Sequence, residues 1–178
     1  MTHEFPAASA IRQNRTAKLR LALFEPDIPA NTGTMLRLGA CLGVAADIVE
    51  PAGFAFTVRE LKRAALDYAG YAEIERHRSW SAFLAAHETR GGRLVLLTTK
   101  ATRLYTDFGF RADDTLLVGR ESAGVPPEVH ARADARLRIP MRPGLRSLNV
   151  AVAAAMVLGE AMRQCAAWPA PDDESEAT

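Results

Sequence analysis

The chain predicts a single-domain α/β fold, a mostly parallel sheet with helices on both faces. Apolar runs of strand length alternate with helix-like segments from end to end, the pattern of repeated βα units. With 178 residues and 48% hydrophobic content, the chain can bury one core without disulfide or metal staples. Four strand-like runs also end in loops that hold most of the chemically distinctive residues: Pro29-Ala-Asn-Thr-Gly33 with Arg37, Leu97-Thr-Thr-Lys100, Gly119-Arg-Glu-Ser-Ala-Gly-Val-Pro126, and Ile139-Pro-Met-Arg-Pro-Gly-Leu-Arg-Ser-Leu-Asn149. Open α/β sheets bind ligands outside the carboxyl ends of their strands, so these loops predict one composite site and an enzyme.

The elements follow in order. Leu19 to Phe24 reads as the first strand; Asn31 or Thr32 can cap a helix running to about Leu42, with Gly43 as its stop. Asp47 to Glu50 is a short strand, Thr57 to Tyr68 a helix with a basic face of Arg59, Lys62 and Arg63, and Ser79 to Glu88 a further helix. Strands are expected at Leu94 to Thr98, Thr115 to Gly119 and Arg136 to Pro140, with a short helix near Pro126 to Arg132. A long helix closes the chain from about Ser147 to Ala166. Its stretch Val150 to Leu158 (VAVAAAMVL) is apolar almost all round, so it needs cover on several sides. That cover comes either from the chain's own core or from a second subunit, and the second case predicts a homodimer.

Residues 1–17 read as a flexible N-terminal extension, 18–168 as the domain, and 169–178 as a disordered acidic tail. The net charge is +1, but the last seven residues hold four of the 21 acids and no base, leaving the rest with a basic excess. Arg12, Arg15, Lys18 and Arg20 form either a solvated basic arm or a contact for a polyanion. Cys41 and Cys165 are far apart in helices and read as core thiols of a reducing cytoplasm. His3, His77, His87 and His130 are scattered, and no metal site is indicated. No apolar run of about 18 residues or signal-peptide pattern points to a membrane or to secretion. Neither a Gly-x-Gly-x-x-Gly after the first strand nor a Gly-Lys-Ser/Thr loop occurs, which removes the main signals of dinucleotide and P-loop enzymes.

Three segments appear in place of those motifs: Phe24-Glu-Pro-Asp-Ile-Pro-Ala-Asn-Thr-Gly33 leading into Met35-Leu-Arg37, Leu116-Leu-Val-Gly-Arg-Glu-Ser-Ala-Gly-Val-Pro126, and Arg138-Ile-Pro-Met141 leading to Arg146-Ser-Leu-Asn149. In that order, and with the landmarks Ile48-Val-Glu-Pro-Ala-Gly-Phe54, Leu66-Asp-Tyr68 and Leu97-Thr-Thr-Lys100, the chain resembles the SPOUT methyltransferases. Within them it resembles the tRNA wobble-nucleotide ribose 2′-O-methyltransferases, over roughly residues 19 to 165.

The resemblance implies a C-terminal trefoil knot, which topology rules alone disfavour. It also implies S-adenosylmethionine as cofactor, the anticodon stem-loop of a tRNA as substrate, a homodimer through the C-terminal helix and knot, and a cytoplasmic location without membrane contact. Carried over by position, the cofactor residues are Leu97, Thr98, Gly119, Gly124, Ile139, Ser147 and Asn149, and the catalytic ones are Asn31, Arg37, Glu121 and Arg146. Ser147 can alternatively cap the last helix. Arginine is seldom a base, so Arg37 and Arg146 are expected to grip phosphates and stabilise a ribose oxyanion. Glu121 either orients its loop or accepts the proton. Arg120, Ala123, Ala151-Val152 and Leu158 depart from the subfamily pattern, and Arg120 could relocate a phosphate contact. Another tRNA or rRNA target, or a non-catalytic RNA-binding role, is the alternative.

Overall fold

The computed structural model describes residues 18–54 and 71–170. The helix expected at Thr57 to Tyr68, the N-terminal extension and most of the acidic tail lie outside the described residues. Strands β1 (Arg20–Phe24), β2 (Ala45–Val49), β3 (Ile74–His77), β4 (Leu94–Leu97), β5 (Thr115–Val118) and β6 (Ala135–Leu137) form one sheet in the order β3-β2-β1-β5-β4-β6. Every pairing is parallel, for example Arg20↔Ala45 between β1 and β2 and Arg20↔Thr115 between β1 and β5. The helices are α1 (Pro29–Leu42), α2 (Trp80–Arg90), α3 (Pro127–Arg132) and α4 (Val150–Cys165), with a 3₁₀ turn at Tyr105–Asp107.

The alternation of side chains along β1 divides the core in two. Leu21 and Leu23 point to the face covered by α1 and α4, where they join Met35, Ala154, Val157 and Leu158. Ala22 and Phe24 point to the opposite face with Phe83 of α2 and Val129 of α3. Both faces are therefore apolar, which is why the central strands read as continuous hydrophobic runs. Among the described residues no helix is long and apolar enough to cross a membrane.

Several expectations need correction. Helix α1 starts at Pro29 with Ile28 as its N-cap, so neither Asn31 nor Thr32 caps it; Thr32 Oγ1 instead donates to the Ile28 carbonyl at 3.2 Å. Pro at the first turn needs no N–H partner, which lets the helix begin earlier than a capping side chain would mark. Gly43 does end it, at φ 65°. Ser79 caps α2 by accepting from the Ala82 amide at 3.1 Å. The last helix starts three residues later than expected, and its cap is Asn149 and not Ser147: Asn149 Oδ1 accepts from the amides of Ala151 and Val152 at 2.9 and 3.2 Å. Cys41 is exposed and is no core thiol, while Cys165 is half-buried. Strand β3 was not anticipated, because Glu75 and Arg76 leave only its ends apolar or buried.

The outer edge of the sheet is held by charge. Asp47 is fully buried, and its carboxylate accepts from Arg20 Nε at 2.7 Å, Arg90 Nη2 at 3.1 Å and His77 Nε2 at 2.7 Å. Burial pushes this carboxyl up, but Arg20, His77 and Arg90 outweigh it and hold it below its ordinary value. With the folded value depressed, Asp47 contributes stability above the unfolded carboxylate pKa and loses it as pH falls through the folded value. Asp47→Ala leaves Arg20 and Arg90 with only the half-exposed Glu75 as partner and removes the acceptor of His77 Nε2, so it should cost about 3 kcal/mol at neutral pH by urea unfolding. The difference from the wild type should shrink in acid.

Candidate functional site

The connections out of β1 and β5, neighbours in the sheet, leave in opposite directions: α1 packs on one face and α3 on the other. Such a divergence opens a crevice at the carboxyl ends of the two strands, the usual ligand position in open α/β sheets. The loop after β5 closes on itself there. Arg120 and Gly124 exchange backbone hydrogen bonds at 3.0 and 2.9 Å, which brings the chain back over Gly119. A Cβ on Gly119 would lie 2.6 Å from the Gly124 carbonyl carbon, so only glycine fits. Gly144, at φ 87°, is an ordinary turn glycine: a Cβ added to it would meet nothing within 4 Å.

Side-chain hydrogen bonds then tie three loops together across the crevice. Asp27, in the loop after β1, accepts from the amides of Glu121 and Ser122 at 3.0 and 3.3 Å and from the Ser122 hydroxyl. The Glu121 carboxylate accepts from Asn31 Nδ2 at 3.0 Å and from the Asp27 amide at 3.4 Å. Asn31 Oδ1 in turn accepts from Asn149 Nδ2 at 2.9 Å, and Asn149 caps α4. The two carboxyls move apart in acidity. The side-chain hydrogen bond with Glu121, supported by Ser122, lowers Asp27 to about 2, whereas burial and the neighbouring Asp27 raise Glu121.

Above this network lies a cavity of about 540 Å³, within the usual range for small-molecule sites. It is lined by every expected cofactor residue, namely Leu97, Thr98, Gly119, Gly124, Ile139, Ser147 and Asn149, and by Asn31, Glu121 and Arg146. Arg37 is the exception: it is exposed on α1 and is not among the lining residues. Lys100, Arg138 and His130 also border the cavity, and its lysine and arginines outnumber its single acid, Glu121. Burial, Lys100 and Arg136 lower the His130 pKa, which favours its neutral form. Arg120, one of the departures from the subfamily pattern, borders the cavity and is paired with Glu25.

Sequence reasoning missed Asp27, whose signal was its place in the Pro26-Asp-Ile-Pro29 run just ahead of the recognised Asn31. It missed His130 as well, since α3 carries no motif. Among the described residues one grouping has metal-ligand spacing, Asp47, Glu75 and His77. Arg20 and Arg90 already occupy the acceptor oxygens of Asp47, and Glu75 accepts from Arg90 Nη1 at 2.8 Å, so this is an ion-pair cluster.

The model of the SpoU rRNA Methylase family matches residues 18–159. The chain belongs to that family. A relative from Beijerinckia indica, 64% identical over 147 residues, covering 83% of this chain and 92% of its own, is a tRNA (cytidine(34)-2′-O)-methyltransferase. A protein of the same name from Yersinia pestis is 39% identical over 151 residues, covering 82% and 93%. A solved structure described as "Structural insights into the 2-OH methylation of C/U34 on tRNA" superposes with TM-score 0.78 at 40% identity, covering 83% of this chain and 96% of that one. The SpoU methyltransferase AviRb of Streptomyces viridochromogenes in complex with AdoMet superposes with TM-score 0.77 at 27% identity, covering 90% and 66%.

Asn31→Ala removes a donor to the charged form of Glu121 and the acceptor of Asn149. The Glu121 carboxyl should therefore titrate at higher pH than in the wild type, followed by carbon-detected NMR, with a stability loss of about 1 kcal/mol in denaturant unfolding.

Proposed function

We propose that the protein transfers a methyl group from S-adenosylmethionine to the ribose 2′-hydroxyl of the wobble nucleotide, cytidine or uridine, in a tRNA anticodon loop. One observation carries this: all seven expected cofactor residues and three of the four expected catalytic residues converge on a single cavity at the switch point of the sheet. The relatives' shared activity and near full-length coverage supply the substrate.

The lining suits the cofactor. Aliphatic Leu97, Leu137 and Ile139 offer surface for an adenine ring, the loop backbone around Gly119 offers hydrogen bonds to its edge, and Lys100, Arg138 and Arg146 offer charge for a carboxylate. When bound, S-adenosylmethionine supplies an electrophilic methyl group on a good leaving group. The chain's own task is to place a ribose oxygen in line and to ease loss of its proton. Arg146, in the cavity, stabilises negative charge on that oxygen, and Arg37, on the outside of α1, holds RNA phosphate. Glu121 and Asn31 fix the hydroxyl's approach. Glu121, with its raised pKa, accepts the proton only once pH has passed that value.

The return of the chain over Gly119 supports reading residues 119–149 as the knotted segment of the SPOUT fold. The exposed apolar side chains Val152 and Met156 of α4, with Leu148 just ahead of it, support a homodimer through that helix. A cytoplasmic location accords with a tRNA substrate.

Labelled methyl transfer to total tRNA, with mass-spectrometric location of the product, should place the mark on a ribose at the wobble position; a mark elsewhere in tRNA or in rRNA would move the substrate but keep the reaction. Arg146→Ala should lower kcat by about 100-fold with cofactor affinity within several-fold. Arg37→Ala should act chiefly on the KM for RNA. Light scattering after size exclusion should give twice the chain mass.

A further inference from the structure

Beside the main cavity is a second one of about 280 Å³, which shares Arg120, Ala123, Gly124 and Val125 with it. Phe24 and Val129 line its apolar part, Trp80 its aromatic wall, and Glu25, Arg120 and Glu128 its polar rim. Trp80 is held firmly: its indole stacks on buried Phe83, with centroids 5.3 Å apart at 23°, and meets Phe24 edge-on at 5.6 Å and 79°. Its indole N–H makes no hydrogen bond among the described residues. The same holds for the carboxylate of exposed Glu128. Glu25 has a left-handed backbone, φ 45°, unusual for a residue with a side chain, and its carboxylate pairs with Arg120 on the wall between the two cavities. The cavity thus combines a rigid π surface, an unused N–H donor and carboxylate acceptors, next to the site where a ribose must lie.

We propose that this second cavity is a nucleobase subsite, which takes an unpaired base bearing an exocyclic amino group from the nucleotide next to the methylated one. The inference rests on the RNA methyltransferase reading above. Bases of single-stranded RNA are commonly held by aromatic contact and read on their edges. Here Trp80 supplies the contact, Glu128 accepts from the amino group, and Arg120, fixed by Glu25, faces the connecting backbone. Continuity with the main cavity selects the RNA strand as the occupant, since a base adjacent in sequence to the reacting ribose reaches this wall without leaving the surface.

The test is a cycle of methyl-transfer measurements with an anticodon stem-loop and with the same RNA made abasic, in turn, at each nucleotide flanking the target. In the wild type one abasic RNA should raise KM about 10-fold, the scale of one base–aromatic contact. Trp80→Leu should raise KM for the intact RNA by a similar factor and become indifferent to that abasic change, with S-adenosylmethionine affinity by calorimetry unaltered. Should Trp80→Leu fail to fold, Glu128→Ala at the exposed rim takes its place, paired with an RNA whose flanking base lacks its amino group. Equal penalties in wild type and variant, or a flat abasic series with active wild type, would overturn the subsite alone. A wild type that methylates no RNA would overturn the function on which it rests.

Discussion

The site depends on one run of hydrogen bonds, Asp27 to Glu121 to Asn31 to Asn149, that crosses from the loop after β1 to the loop after β5 and on to the start of α4. Each of those loops has little secondary structure of its own to define its path. An exposed loop samples many conformations, and a cavity built from several such loops is only as well shaped as the bonds between them. The chain's solution is to spend short polar side chains on neighbouring loops instead of on solvent. A carboxylate that accepts two backbone amides, as Asp27 does, fixes a loop's direction as well as its position. The cost is two carboxyls in one small region, and it is met by driving their acidities in opposite directions.

The central strands were legible because burial on both faces makes β1, β4 and β5 nearly pure aliphatic runs, and α4 was legible from its unbroken apolar length. What the sequence concealed is instructive about why. Strand β3 is at the sheet's edge, where Arg76 pairs with Glu50 and Glu75 with Arg90, so charge takes the place of the apolar alternation that marks a strand. Asn31 looked like a helix cap because asparagine is a favoured one, yet Pro29 had already started the helix and freed the amide side chain for the site. Ser147 misled for the same reason, with Asn149 two residues away making the cap. Cys41 followed a statistical preference for buried thiols that an individual surface position on α1 need not obey.

Motif named the candidate site residues, and the structure adds what motif could not supply. Nothing in the spacing of Arg37 from Asn31 says that one lines the cavity while the other stands outside it, since that depends on which face of α1 the sheet covers. Nor does a pattern of distinctive loops disclose that Arg120 is engaged by Glu25 from another strand end. Long-range partners of this kind, 94 or 118 positions apart in the cases of Asp27 with Glu121 and Asn31 with Asn149, exist only once the sheet order has been set.

Asn149 must receive hydrogen from two main-chain amides with its oxygen while giving hydrogen to Asn31 with its nitrogen. Serine, threonine and aspartate serve equally well at ordinary helix beginnings, but a hydroxyl is too short and a carboxylate has no hydrogen to give. The position therefore tolerates no substitute among the usual capping residues, and the identity of one surface amide couples the onset of the last helix to the geometry of the half-buried carboxylate in the neighbouring loop.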